Sequence, residues 1–72
     1  MTTATFERAL RIFSLRRPFR PFIIELGTGE RITVVNPDLV AMFGDMIAYM
    51  NTKGHHQLFD ASSVNQLLDA SG

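Results

Sequence analysis

Phe6, Ala9, Leu10 and Phe13 recur at three- and four-residue spacing, the signature of an amphipathic helix. The pattern predicts a helix over residues 2–16, with Ile12 and Leu15 widening the apolar stripe. Glu7, Arg8, Arg11 and Ser14 take the opposite face. Thr2, Thr3 and Thr5 are candidate N-caps, and Arg16 and Arg17 suit the negative end of the helix dipole. Pro18 ends the segment, because the residue before a proline is pushed out of the α region.

The period then changes to two. Phe22, Ile24 and Leu26 alternate with Ile23 and Glu25, and Ile32 and Val34 alternate with Arg31 and Thr33. Gly27-Thr28-Gly29 between the runs marks a hairpin joining strands 22–26 and 31–35. The connector Arg17-Pro18-Phe19-Arg20-Pro21-Phe22 is stiff, and its two phenylalanines fall on one side of a polyproline-like stretch, placed to pin helix to sheet. Asn36-Pro37-Asp38 breaks the second strand, with Asn36 able to cap a short helical turn. Leu39, Val40, Met42 and Phe43 follow as one helical turn or an irregular apolar loop ending at Gly44. Further strands are expected at 46–51 and 55–59, separated by a turn at Thr52-Lys53-Gly54. Asp60-Ala61-Ser62-Ser63 reads as a cap-like turn, and residues 64–68 as a last helical turn or a short strand. Residues 69–72 are expected to fray. The expected fold class is α+β. It is a single domain over 1–72, with an N-terminal helix packed on, or across the open end of, a bent four- to five-stranded antiparallel sheet.

Size sharpens this picture. A chain of 72 residues buries only about 60% of its unfolded surface, and one core of this size supplies about 3–5 kcal/mol. There is no cysteine to form a disulfide, and no Cys/His spacing suited to structural zinc, which leaves association with a partner as the remaining staple. Apolar residues are 46% and charged residues 19%, so the surface is poor in charge for so small a domain. No apolar run approaches a membrane span and no secretory leader pattern opens the chain, so the expected location is cytoplasmic. Formal net charge is zero, yet Arg8, Arg11, Arg16, Arg17 and Arg20 all lie in the first twenty residues.

A helix, then short strands with a turn before the last, resembles the element order of Sm-like and other SH3-like small barrels. The sequence also resembles a set of small uncharacterised bacterial proteins. They share an Arg-Pro-Phe-x-Pro-Phe element (here residues 17–22), a Gly-containing hairpin (27–29), an x-Pro-acid break (36–38), and a late Asp followed by Val-x-x-Ile/Leu (Asp60, Val64, Leu67). The second resemblance carries no activity to transfer. The Sm-like one implies ring-forming edge strands and RNA contact.

Candidate chemistry is thin. His55-His56 lies near Asp60 and Asp45, but adjacent strand residues point to opposite faces, so both imidazoles cannot serve one metal. Ser62 and Ser63 near Asp60 lack a nucleophile-elbow setting and are explained by capping. Gly27-x-Gly29 joins two strands and does not open a helix, so it is no phosphate loop. These readings point to no enzyme, no catalytic residues, no metal, no cofactor and no evident small-molecule substrate. The arginine cluster reads as a solvated helix face whose stems cover apolar surface, as a grip on phosphates and bases, or as a dock for an acidic protein surface. Met42, Phe43, Met46, Tyr49 and Met50 form a soft apolar group, suited to core filling or to a binding surface. The expectation is a non-enzymatic protein–protein interaction module, self-associating or an accessory subunit, with contacts at Leu39, Met42, Phe43 and Met46. The alternative is an RNA- or DNA-binding module using Arg11, Arg16, Arg17 and Arg20.

Overall fold

The computed structural model describes residues 1–51 and 53–70. Helix α1 spans Thr3–Ser14, and Thr2 caps it by accepting the Thr5 N–H at 3.1 Å. Phe6 is fully buried, and Leu10 and Phe13 pack against the core. Ile12 and Leu15 do not widen this stripe: both stand mostly exposed, at 61% and 59%. The helix also ends earlier than the proline requires. Leu15 closes it with its N–H on the Arg11 carbonyl at 3.0 Å, so Arg16 and Arg17 lie beyond the last turn. Freed from the helix, Arg16 forms an ion pair with Asp69 and donates to the Arg20 carbonyl at 3.0 Å. The Arg17–Pro18 peptide is cis.

Six strands follow: β1 (Phe22–Leu26), β2 (Arg31–Val34), β3 (Val40–Phe43), β4 (Met46–Met50), β5 (His56–Asp60) and β6 (Val64–Asp69). They form two three-stranded antiparallel sheets, ordered β2-β1-β6 and β3-β4-β5. The fold is therefore α+β, but one bent sheet of four or five strands is replaced by two separate sheets, neither of them closed. The extra strand is β3, in the segment expected to be a helical turn or a loop. A 3-10 turn at Pro37–Leu39, capped by Asn36 accepting the Asp38 N–H at 2.9 Å, precedes it directly. The final element is a strand, and it returns to pair with β1.

The inner faces meet in one core built from Phe6, Phe22, Ile24, Val34 and Ile47, all fully buried. Aromatic contacts tie the helix to both sheets. Phe6 meets Phe59 of the second sheet edge to face at 6.5 Å, and Phe13 meets Phe22 of the first at 5.3 Å. Phe19 adds an edge-to-face contact with Phe22 at 6.2 Å. Tyr49 on β4 donates its hydroxyl to the Thr33 carbonyl on β2 at 2.8 Å, linking one sheet to the other.

The turns have local causes. Gly29 at φ +93° lets the β1–β2 turn close, and Gly44 at φ +64° opens the two-residue Gly44-Asp45 link from β3 to β4. After β4, Asn51 accepts the Lys53 and His55 N–H groups at 2.9 and 3.0 Å. Thr52 of the expected turn, and Ser71 and Gly72 of the expected frayed end, lie outside the described residues.

Candidate interaction surface

The two sheets turn very different surfaces outward. On the first, Glu25 sits at the centre of a polar network. Arg31, its cross-strand neighbour, places its guanidinium 3.0 Å from Oε2. A bulge between Glu25 and Leu26 leaves an extra residue in β6. Both Asn65 and Gln66 therefore reach Glu25 Oε1, donating at 2.8 and 2.9 Å. The Asn65 amide, then the Gln66 amide, then Arg31 hold the Glu25 carboxyl below the usual range. Asp69, on the same sheet, is lowered by its hydrogen bond from Arg16.

Among the described residues, the outer face of the second sheet has no such network. Its inward residues are Val40, Met42, Ile47, Tyr49 and Phe59. Its outward positions are Ala41 and Phe43 on β3, Met46, Ala48 and Met50 on β4, and His56, Leu58 and Asp60 on β5. Phe43 is 69% exposed, Leu58 66%, Met50 38% and Met46 36%. Register makes them one patch: Phe43, Met46 and Asp60 form one row, Ala41, Ala48 and Leu58 the next, and Met50 and His56 the third. A shallow groove of about 340 Å³ runs over it, lined by Leu39, Ala41, Phe43, Ala48, Tyr49, Met50 and His56 together with the acid Asp38.

The four expected contact residues therefore divide. Leu39 and Met42 pack against the core, while Phe43 and Met46 stand outward as cross-strand neighbours. The sequence reading missed Ala41, Ala48 and Leu58, and named Met50 only within the soft apolar group. The signal was the run 46–50, whose even and odd positions are both apolar, so one half had to face away from the core.

The arginine cluster is dispersed. Arg16 is engaged by Asp69 and lies over the Phe13 ring at 4.6 Å, and its Nε is buried without an acceptor among the described residues. Arg11 and Arg17 line a groove of about 590 Å³ between helix and β3, beside Leu10, Leu15, Val40 and Met42. Glu7 and Asp38 stand in the same groove, so its charge is mixed. Arg20 is exposed in the connector.

His55 and His56 are exposed at the start of β5, and among the described residues no three His, Asp or Glu side chains converge as for a metal. Ser62 and Ser63 lie in a 3-10 turn at Ala61–Ser63. Asp60 occupies the N-cap position of that turn but makes no side-chain capping bond, contrary to the capping expectation. Its carboxylate stays on the outer face of the second sheet.

Comparison with known proteins adds little. No family model matches the chain, and no solved structure matches it. A stretch of 62 residues is 34% identical to part of the inner membrane protein YccS of Escherichia coli K12. That stretch is 86% of this chain but 8% of the length of YccS. Among the described residues, no helix is long and apolar enough to cross a membrane.

Proposed function

We propose that the chain is a non-enzymatic protein–protein interaction module, working as part of a larger assembly through the outer face of the second sheet. One observation carries the reading: six outward positions on three adjacent strands are apolar, and neither β3 nor β4 contains a charged residue. Contiguous apolar surface on a small protein marks a contact site. The edge strand β3 has none of the charges or prolines that guard a free edge. The match to a short stretch of a far longer protein supports a module that acts within something larger.

The fold is read as a small barrel of the SH3/Sm kind opened into two sheets. The initial helix, the 3-10 turn before the last strand, and the return of β6 to β1 support this. Membership in the Arg-Pro-Phe-x-Pro-Phe set is supported by the packing of Phe22 against Phe13 of the helix and of Phe19 against Phe22. The nucleic-acid reading stands second, because Arg16 is already engaged and Arg11 and Arg17 share their groove with two acids.

A comparative pull-down from cells of the native organism tests the module. Wild-type chain and Leu58→Glu are used as baits. Partners held by the wild type and lost with the variant are expected. An identical set with both baits overturns the reading.

A further inference from the structure

β3 is the outermost strand of its sheet, and the direction of its main-chain groups follows from its neighbours. On the β4 side, Asp45 accepts the Ala61 N–H and Asn51 donates to the His55 carbonyl, both at 2.9 Å, so the odd positions bond toward β5. Hydrogen bonds in an antiparallel pair serve every second residue. Met46 and Ala48 therefore turn toward β3 and bond with Phe43 and Ala41, their partners in register. The alternate residues of β3 are left over. Val40 turns its carbonyl, and Met42 both its N–H and its carbonyl, away from β4. The Val40 N–H is already spent on the Pro37 carbonyl. Among the described residues, no strand pairs with this edge.

The same two residues line the groove of about 590 Å³ whose other wall is α1. Leu10 and Leu15 line it from the helix side, and Leu15 is exposed there. Its charges cancel, with Glu7 and Asp38 against Arg11 and Arg17. The groove thus offers main-chain hydrogen bonds along one wall and apolar contact along both, with no net sign.

Resting on the module reading, we infer that the free edge of β3 takes up an extended, uncharged apolar segment of a partner protein as an added strand, lodged between β3 and the helix. An extended main chain presents donors and acceptors at the spacing that Val40 and Met42 require, so the unpaired groups specify the conformation of the occupant. Side chains of an added strand alternate between two faces. Those on the inner face meet Leu10, Leu15, Val40 and Met42, and those on the outer face extend the apolar rows that hold Ala41 and Phe43. Consecutive residues of the segment are therefore apolar. A second copy of this chain does not fit the groove. Its edge strands β2, β3, β5 and β6 all have a sheet behind them. The next strand of that sheet would stand about 4.8 Å further on, in the space of the helix wall.

Peptides selected on the purified chain from a random phage-displayed library are the probe, with binding followed by fluorescence polarisation and amide exchange by nuclear magnetic resonance. The selected peptides are expected to share a run of apolar residues. With peptide bound, the Met42 N–H is expected to exchange about tenfold more slowly or better, whereas the N–H groups of Ala41 and Phe43, already bonded to β4, change little. N-methylation of alternate peptide amides separates strand addition from side-chain docking: one alternate set is expected to abolish binding and the other to leave it within about threefold. Leu15→Glu, on the exposed wall, is expected to weaken binding by about tenfold or more while the chain stays folded by circular dichroism. Peptides that leave Met42 exchange as it was, that tolerate both methylated sets, or that bind Leu15→Glu as wild type overturn the inference, as does a library that yields no binder. Protection of Met42 in the chain alone, rising with its concentration, overturns it in favour of a second copy. If any of these occurs while Leu58-dependent capture persists in the pull-down, the added strand is wrong and the module stands. If capture is also absent, both fall.

Discussion

The two sheets have the same number of strands and the same antiparallel pairing, yet they meet solvent in opposite ways. The first sets Glu25 on its outer face beside Ile23 and Leu68 and surrounds it with Arg31, Asn65 and Gln66, so the charges of Glu25 and Arg31 are answered within the chain. The second places Ala48 at the centre and surrounds it with Phe43, Met46, Met50 and Leu58. One face has its charges answered by its own side chains, whereas the other leaves its large apolar side chains exposed. The difference teaches that a strand apolar on both sides carries two kinds of side chain: Ile47 is buried within its own chain, while Met46 and Met50 on the same strand stand exposed.

The sharpest way to break this comparison uses one sheet only. Ile47 is fully buried on the inner side of β4, and Leu58 is exposed on the outer side of β5. Ile47→Ala removes buried methyl groups and leaves a cavity, at a cost of about 2–5 kcal/mol. For a domain of marginal stability that abolishes most of the folded population. Leu58→Ala, measured at about 1 μM where association is negligible, changes unfolding free energy by no more than about 0.5 kcal/mol. Urea denaturation followed by circular dichroism measures both. A comparable loss at Leu58 would make the outer face part of the fold and remove the contrast.

The next effect falls on association. Phe43→Glu combined with Leu58→Glu puts two charges into the middle of the outer face, where a partner would have to desolvate them. Capture by, or self-association through, this face is expected to fall by two orders of magnitude or more, roughly 3 kcal/mol. The corresponding change on the first sheet, Thr33→Glu, is expected to leave association within about twofold. Light scattering and the pull-down read both. Equal loss from either sheet would mean that the contact surface is not confined to the second.

How much of this was legible follows from the same contrast. The hairpin β1–β2 was readable because Glu25, Arg31 and Thr33 interrupt an apolar run at every second residue. The helix was readable from Phe6, Leu10 and Phe13, but its end was not. Arg16 leaves the helix to meet Asp69, fifty-three residues away, and no local pattern encodes that. Strand β3 was hidden because Val40 and Met42 serve the core while Ala41 and Phe43 serve the outer face, so apolar residues fall on both sides and the period of two disappears. That loss of periodicity was itself the sign of a two-sided apolar strand. The Glu25 network was invisible for another reason. Asn65 and Gln66 reach it only through a bulge, and a bulge changes which side chains share a face without leaving a mark in composition.

The smallest effect concerns acid. Glu25 and Asp69 are the two carboxyls held below their ordinary values, and both belong to the first sheet. Their causes are the amides of Asn65 and Gln66 with Arg31 for Glu25, and the Arg16 hydrogen bond for Asp69. A carboxyl lowered in the folded state binds fewer protons there than in the unfolded chain. The stability it contributes is therefore fully present above the unfolded value, near pH 4, and is lost as pH falls through the lower folded value. Urea unfolding between pH 7 and pH 2.5 should then show a flat upper range and a decline beginning near pH 4.5. Glu25→Gln keeps the shape but cannot ionise, so part of that decline is expected to vanish while some stability at pH 7 is lost with it. Asp69→Asn removes a further part, and the two effects should add, because the groups bond to different partners. An acid decline that Glu25→Gln and Asp69→Asn both leave unchanged would overturn the assignment.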